Sequence, residues 1–226
     1  MLVRIEGLLT KAEVAESRRV LEGLAWVDGK ATAGAQSAKA KYNLQVPEDA
    51  PEARELGQAI LTLLGRNEDF VSAALPLRVF PPLFNRYEAG MAFKAHVDNA
   101  IRFAPGLVRV RTDIACTLFL SEPEDYDGGE LVIEDTYGEQ HVKFAAGDLV
   151  VYPATSLHRV EPITRGARWA SFFWAQSMVR DEGQRRTLYD LDRAIQAVRA
   201  DLSDDNHAVV ALTGVYHNLL RRWGEV

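Results

Sequence analysis

The chain contains a single cysteine, Cys116, among its 226 residues. A disulfide framework is thereby excluded, and so is a zinc cage built from two or four thiolates. An excess of positive charge is also missing. Lys and Arg number 26 against 32 Asp and Glu, a formal net charge of −6, which disfavours a nucleic-acid or anionic-membrane partner. No apolar run approaches the length that spans a bilayer. The opening "MLVRIEGLLTKAEVAE" lacks the apolar core and small-residue cleavage site of a secretory leader, so the expected setting is the cytoplasm. Internal repeats and low-complexity segments are absent too.

What is present suffices for a sizeable core: 47% hydrophobic and 26% charged residues. "LTKAEVAESRRVLEGLAW" reads as an amphipathic helix, with Thr10 and Glu13 at capping-box spacing and Val14, Leu21 and Leu24 recurring on one face. The small, polar stretch Trp26 to Val46 has no sustained period. It is expected to be a surface loop or a flap that covers a site. A second helix is expected through "ARELGQAILTLLG", capped by Asp49 and stopped at Gly65.

From Leu77 to Trp174 the pattern changes to short β-rich runs, among them "LFNRY", "GELVIED", "DLVVYPA" and "RWASFFWAQ". Turn signals stand at Asp127–Gly128–Gly129, Tyr137–Gly138 and Ala146–Gly147–Asp148. The expected fold is mainly β, a jelly-roll or barrel core with flanking helices. The expected division is 1–76 as an N-terminal helical region with the flap, 77–178 as the β core and 179–226 as a C-terminal helical region. In that last region the apolar stripes around Leu188, Leu191, Val209 and Leu219 can pack on the core or support a homo-oligomer.

Chemistry gathers in "NRYEAGMAFKAHVDNA". In an extended strand residues two apart point the same way, roughly 6–7 Å apart. His96 and Asp98 then face one point and Val97 turns away into packing. A third ligand must come from another strand. Of the five histidines, His141 lies beside a turn among charged residues, and His207 and His217 belong to the helical tail. His158 follows the apolar "AAGDLVVYPATSL", 60 residues beyond Asp98. Two histidines and one carboxylate form a facial triad suited to non-haem Fe(II). No further side chain is expected to act as acid or base.

Ten residues after His158 comes Arg168, on what is expected to be the last strand. A guanidinium makes a bidentate, charge-assisted pair with a carboxylate and does not deprotonate. It is therefore the expected anchor for the far carboxylate of 2-oxoglutarate, whose keto-acid end would chelate iron. Ala170, Phe172 and Trp174 share its parity and would form an apolar wall. Arg111 and Asp113 share parity with Thr117 and Phe119. They either look into the cavity mouth, toward a polar or zwitterionic substrate, or form an internal ion pair. A metal-binding cupin that senses a ligand without turnover is the alternative, and Arg168 argues against it.

These features together resemble the Fe(II)- and 2-oxoglutarate-dependent dioxygenases related to prolyl hydroxylases. More narrowly the chain is similar to the bacterial PKHD-type hydroxylases. That resemblance rests on "WVDGKATAGAQ", "PLFNRYEAGMAFKAHVD", "RTDIACTLFLSEPEDYDGGELVI", "AAGDLVVYPATSLHRVEPITRGAR", "QSMVRDEGQRRTLYDLD" and "YHNLLRRW". It implies a double-stranded β-helix, iron on His96, Asp98 and His158, and 2-oxoglutarate on Arg168 with Tyr87 close by. It further implies dioxygen as co-reactant, L-ascorbate as reductant, and hydroxylation of a small molecule, such as a siderophore in iron uptake, or of a protein proline.

Overall fold

Thr10 opens the first helix as the spacing predicts. Its side chain accepts from the Glu13 amide while the Glu13 carboxylate accepts from the Thr10 amide. The computed structural model describes residues 1–32 and 40–225. Its helices are α1 (Lys11–Glu22), α2 (Pro51–Leu64), α3 (Glu68–Ala74), α4 (Glu182–Asp201) and α5 (His207–Trp223). Asp49 does not cap α2: the residue at that position is Ala50, and no side chain bonds the end. Pro51 removes one of the amides left unpaired at this end, and its φ is already helical. Gly65 ends this helix as expected.

Among the described residues the strands are β1 (Val3–Ile5), β2 (Val27–Asp28), β3 (Lys41–Tyr42), β4 (Leu44–Gln45), β5 (Pro76–Val79), β6 (Leu83–Glu88), β7 (Ala92–His96), β8 (Ile101–Ala104), β9 (Val108–Arg111), β10 (Ile114–Phe119), β11 (Tyr126–Gly128), β12 (Leu131–Asp135), β13 (Gly138–Val142), β14 (Leu149–Pro153), β15 (His158–Val160) and β16 (Ile163–Ser177). One sheet runs β1-β14-β10-β16-β6-β4-β2, with β5 and β11 also on β16; the second runs β13-β12-β15-β7-β3. A separate hairpin joins β8 to β9. Every pairing is antiparallel, and the architecture is a jelly roll.

The stretch from Trp26 to Val46 is not a loop throughout. Its two ends supply β2, β3 and β4, which extend both sheets. The expected flap is therefore partly sheet, and positions 33–39 lie outside the described residues.

Alternation along the strands sorts side chains between two cores. On one face of the larger sheet, Leu118, Leu149, Trp169 and Phe173 pack against Leu21, Ile60, Leu64 and Phe70 of the helices. Cys116 belongs to this side and is fully buried. On the other face, Tyr87, Phe119, Val150 and Trp174 meet Leu131, Ile133 and Val160 of the smaller sheet. The C-terminal helices dock on the chain itself. Leu188 joins Leu75 and Val179 in a third cluster, with Leu219 and Trp223 packed beside it. Among the described residues no helix is long and apolar enough to cross a membrane.

Candidate metal centre and cosubstrate pocket

β7 and β15 are neighbours in the smaller sheet, and their register sets His96 directly opposite His158. Directly opposed residues on antiparallel strands bring their side chains close, and the two ring centres stand 4.3 Å apart. β7 ends at His96, so Asp98 lies just past the strand and not within it. Its carboxylate nonetheless turns to both rings, with His96 Nε2 4.0 Å from Oδ1 and His158 Nε2 3.8 Å from Oδ2. The three ligand atoms lie within 4.8 Å of one another. Val97, expected to pack inward, is instead 48% exposed, because the chain has already left the sheet edge.

The donor chemistry fits a divalent metal. His96 Nδ1–H donates to Lys94 O at 2.8 Å, and His158 Nδ1–H donates to Ser156 O at 3.0 Å. A nitrogen facing a carbonyl must carry the ring proton, so each Nε2 keeps a bare lone pair aimed at the common point. Burial, aided by the neighbouring His158, pushes His96 down to about 4, and its ring is neutral at physiological pH. Phe93 stacks on the His96 ring at 3.5 Å between centroids, and Tyr152 meets the His158 ring edge-on at 5.3 Å.

Behind these three groups, between the sheets, lies a cavity of about 80 Å³. That is room for several waters, and so for a small anion that displaces them. Tyr87, Thr117, Arg168, Phe172 and Trp174 line it from the larger sheet. Registers place them in pairs: Arg168 opposite Tyr87, Thr117 opposite Phe172, and Ala115 opposite Trp174.

Arg168 is 1% exposed. It sits inside the 15-residue β16, five positions after that strand begins. Among the described residues it forms no ion pair, and its Nε has no hydrogen-bond partner. A buried cation without a counter-charge carries a penalty of several kcal/mol, which an incoming carboxylate would offset. The rings of Tyr87 and Phe119 lie 5.6 and 5.3 Å from its guanidinium carbon. Tyr87 is itself buried, and that burial raises its hydroxyl to about 12, so it stays protonated.

Arg111 and Asp113 lie elsewhere. They form a two-point ion pair (Nε to Oδ1 2.6 Å, a terminal nitrogen to Oδ2 3.0 Å), and Asp113 Oδ2 also accepts from the Ser177 amide. They are absent from the cavity lining. The reason is a bend at residues 112–113, between β9 and β10, which breaks the parity that would link them to Thr117. His141 is exposed on β13, and His207 and His217 are exposed on α5.

Some features of the site were not read from the sequence: a polar role for Trp174, and the presence of Lys41 and Arg102. Trp174 Nε1–H donates to Asp98 Oδ2 at 2.8 Å. Lys41 and Arg102 also line the cavity; both are largely buried, and burial lowers both pKa values, Lys41 to about 8. Trp174 shares parity with Arg168, a legible signal. Lys41 and Arg102 come from short edge elements that give none.

Residues 82–176 match the 2OG-Fe(II) oxygenase superfamily, and residues 182–225 match the PKHD-type hydroxylase C-terminal domain. A PKHD-type hydroxylase of Methylobacterium nodulans is 61% identical, and one of Paracoccus denitrificans 60%, each alignment covering 100% of both chains. Two solved structures share the fold. A Pseudomonas putida prolyl-4-hydroxylase is 22% identical with a TM-score of 0.53, over 78% of this chain and 92% of that one. A Trichoplax adhaerens prolyl hydroxylase, in complex with a hypoxia inducible factor peptide fragment, is 16% identical with a TM-score of 0.56, over 83% and 86%. The chain belongs to the PKHD-type hydroxylases and is a 2-oxoglutarate-dependent Fe(II) dioxygenase.

Proposed function

We propose that His96, Asp98 and His158 hold the iron, and that Arg168, with Tyr87 beside it, receives the distal carboxylate of 2-oxoglutarate. The observation that carries this reading is the convergence of three ligand atoms within 4.8 Å at one end of a cavity whose wall includes a buried, unpaired arginine. When bound, iron and 2-oxoglutarate supply the oxidising power: 2-oxoglutarate and dioxygen become succinate and carbon dioxide while a substrate C–H gains a hydroxyl.

The chain's own contribution is position and dryness. The carbonyls of Lys94 and Ser156 fix the tautomers of the two histidines. Trp174 fixes the carboxylate of Asp98. Phe93, Phe172 and the buried aromatic wall exclude water, which strengthens each charged contact within. No side chain is assigned as general acid or base.

L-Ascorbate as the reductant and a small molecule, such as a siderophore of iron uptake, or a protein proline as the substrate are what the family resemblance supports, with a cytoplasmic setting proposed beside them. The test is stoichiometric. Iron-loaded protein given 2-oxoglutarate and dioxygen should release succinate, slowly even without substrate, and Arg168→Met should abolish that release at low cosubstrate. Undiminished succinate from the Arg168 variant at every 2-oxoglutarate concentration would refute the cosubstrate assignment.

A further inference from the structure

Two short strands beside the metal centre invert the usual order of burial. On β3, Lys41 is 6% exposed while its neighbour Tyr42 is 54% exposed. On β8, Arg102 lines the cavity while Ile101 and Phe103, on either side of it, are 45% and 58% exposed. Successive residues of a strand point to opposite faces, so a shift of one residue would bury the apolar side chains and return both cations to water. Apolar burial and cation hydration both favour that shift. The chain instead keeps two positive charges inside, where the mechanism gives them no task.

Both stand at the metal end of the cavity, each one aromatic ring away from a ligand. Lys41 Nζ lies 5.6 Å from the centres of the Phe93 and Phe172 rings, and Phe93 stacks on His96. The Arg102 guanidinium lies 4.3 Å from the Trp174 ring, whose indole bonds Asp98. Lys41 and Arg102 are close enough for their charges to repel. Arg168 is well removed: Trp174 is six positions further along β16, roughly 20 Å of extended strand.

Nothing in the site matches these two charges. Arg102 Nε is buried with no hydrogen-bond partner among the described residues, and Glu48 stands 3.7 Å from the guanidinium, beyond hydrogen-bond length. The acids that face the pair from the rim, Glu48 and Asp28, are themselves exposed, so water screens them. Fe(II), the Asp98 carboxylate and the keto-acid carboxylate together carry no net charge, and Arg168 answers the distal carboxylate. The loaded site therefore presents Lys41 and Arg102 to whatever enters next.

We propose that Lys41 and Arg102 are specificity-determining residues, and that the molecule hydroxylated carries an oxyanion group which both cations bind. The proposal rests on the iron and cosubstrate assignments made above. It implies discrimination by charge, because a neutral substrate would leave two desolvated cations without a partner.

The test is calorimetric binding to the full-length protein, loaded with Fe(II) and saturated with 2-oxoglutarate in the absence of oxygen. Benzoate and benzamide serve as probes, since they share size and shape and differ in charge. Wild type should bind benzoate at least about tenfold more tightly than benzamide, and Lys41→Met and Arg102→Met should each remove most of that preference. Methionine keeps the apolar stem in place, and thermal unfolding checks the fold. Both variants should bind 2-oxoglutarate as wild type does, whereas Arg168→Met should not. If both variants retain the benzoate preference, iron alone holds the anion and the proposal falls. Equal binding of the two probes by wild type, or no saturation by benzoate, also overturns it. If Lys41→Met and Arg102→Met lose 2-oxoglutarate while Arg168→Met keeps it, this proposal and the cosubstrate assignment fall together. If the benzoate results hold and Arg168→Met still binds 2-oxoglutarate normally, only the earlier assignment fails.

Discussion

The indole of Trp174 and the carboxylate of Asp98 are joined by a 2.8 Å hydrogen bond that links β16 of one sheet to the loop leaving β7 of the other. This bond engages Oδ2 and leaves Oδ1 toward His96. Partners of this kind orient metal ligands, and their loss typically weakens metal binding about ten- to hundredfold. Trp174→Phe keeps an aromatic wall and removes the donor. Its iron affinity, measured by competition with a chelator, should fall by that factor; an unchanged affinity would mean that Asp98 is held by other contacts.

Removal of metal tests the triad directly. Protein stripped with a chelator should neither consume 2-oxoglutarate nor release succinate, and added Fe(II) should restore both. His158→Ala should not be restored by the same iron, because it removes one of the three proposed ligands. Succinate assays before and after reloading decide the matter.

Lys41 gives a prediction in pH. Burial lowers it from 10.5 to about 8, so the folded state releases a proton that the unfolded chain still holds between those values. Stability therefore rises with pH across that window, and below about 8 the buried charge exacts its full cost, roughly 2–3 kcal/mol. Lys41→Met should be more stable than wild type at pH 7 by an amount of that order. The difference should shrink above pH 8 and vanish near 10.5, as denaturant titrations at several pH values would reveal. A difference independent of pH would mean that the ammonium is not desolvated.

Asp113→Ala separates structure from catalysis. It removes the two-point partner of Arg111, which among the described residues keeps only Glu225 and the Ser177 carbonyl, and it frees the Ser177 amide; the expected cost is about 1–3 kcal/mol. Because neither Arg111 nor Asp113 lines the cavity, the affinity for 2-oxoglutarate should not change in the protein that remains folded. A selective loss of cosubstrate binding, with normal thermal stability, would return the pair to the cavity mouth.

Much of this fold can be read from local rules. The Thr10–Glu13 box, the strand-rich middle and the two terminal helices follow from spacing and periodicity, because each depends on neighbours within a few residues. The grouping of His96, Asp98 and His158 was legible from ligand type and order. What failed needed geometry over longer distances. Val97 faces solvent because the sheet ends one residue earlier, and the bend at 112–113 cancels a parity argument that assumed one continuous strand. The mate of Trp174 lies 76 positions away, and no pattern within β16 names it.

Cys116 lies on β10 between Ala115 and Thr117 and borders the cavity with them, yet its side chain packs in the helix-side core. Burial pushes the thiol far above its ordinary range. Since only the thiolate reacts readily with oxidants, the sole sulfhydryl of the molecule stays inert a single peptide unit from where oxygen is handled. Stray peroxide from an uncoupled turnover thus finds no reactive thiolate there, and the sulfur left open to it belongs to the thioethers of the methionines.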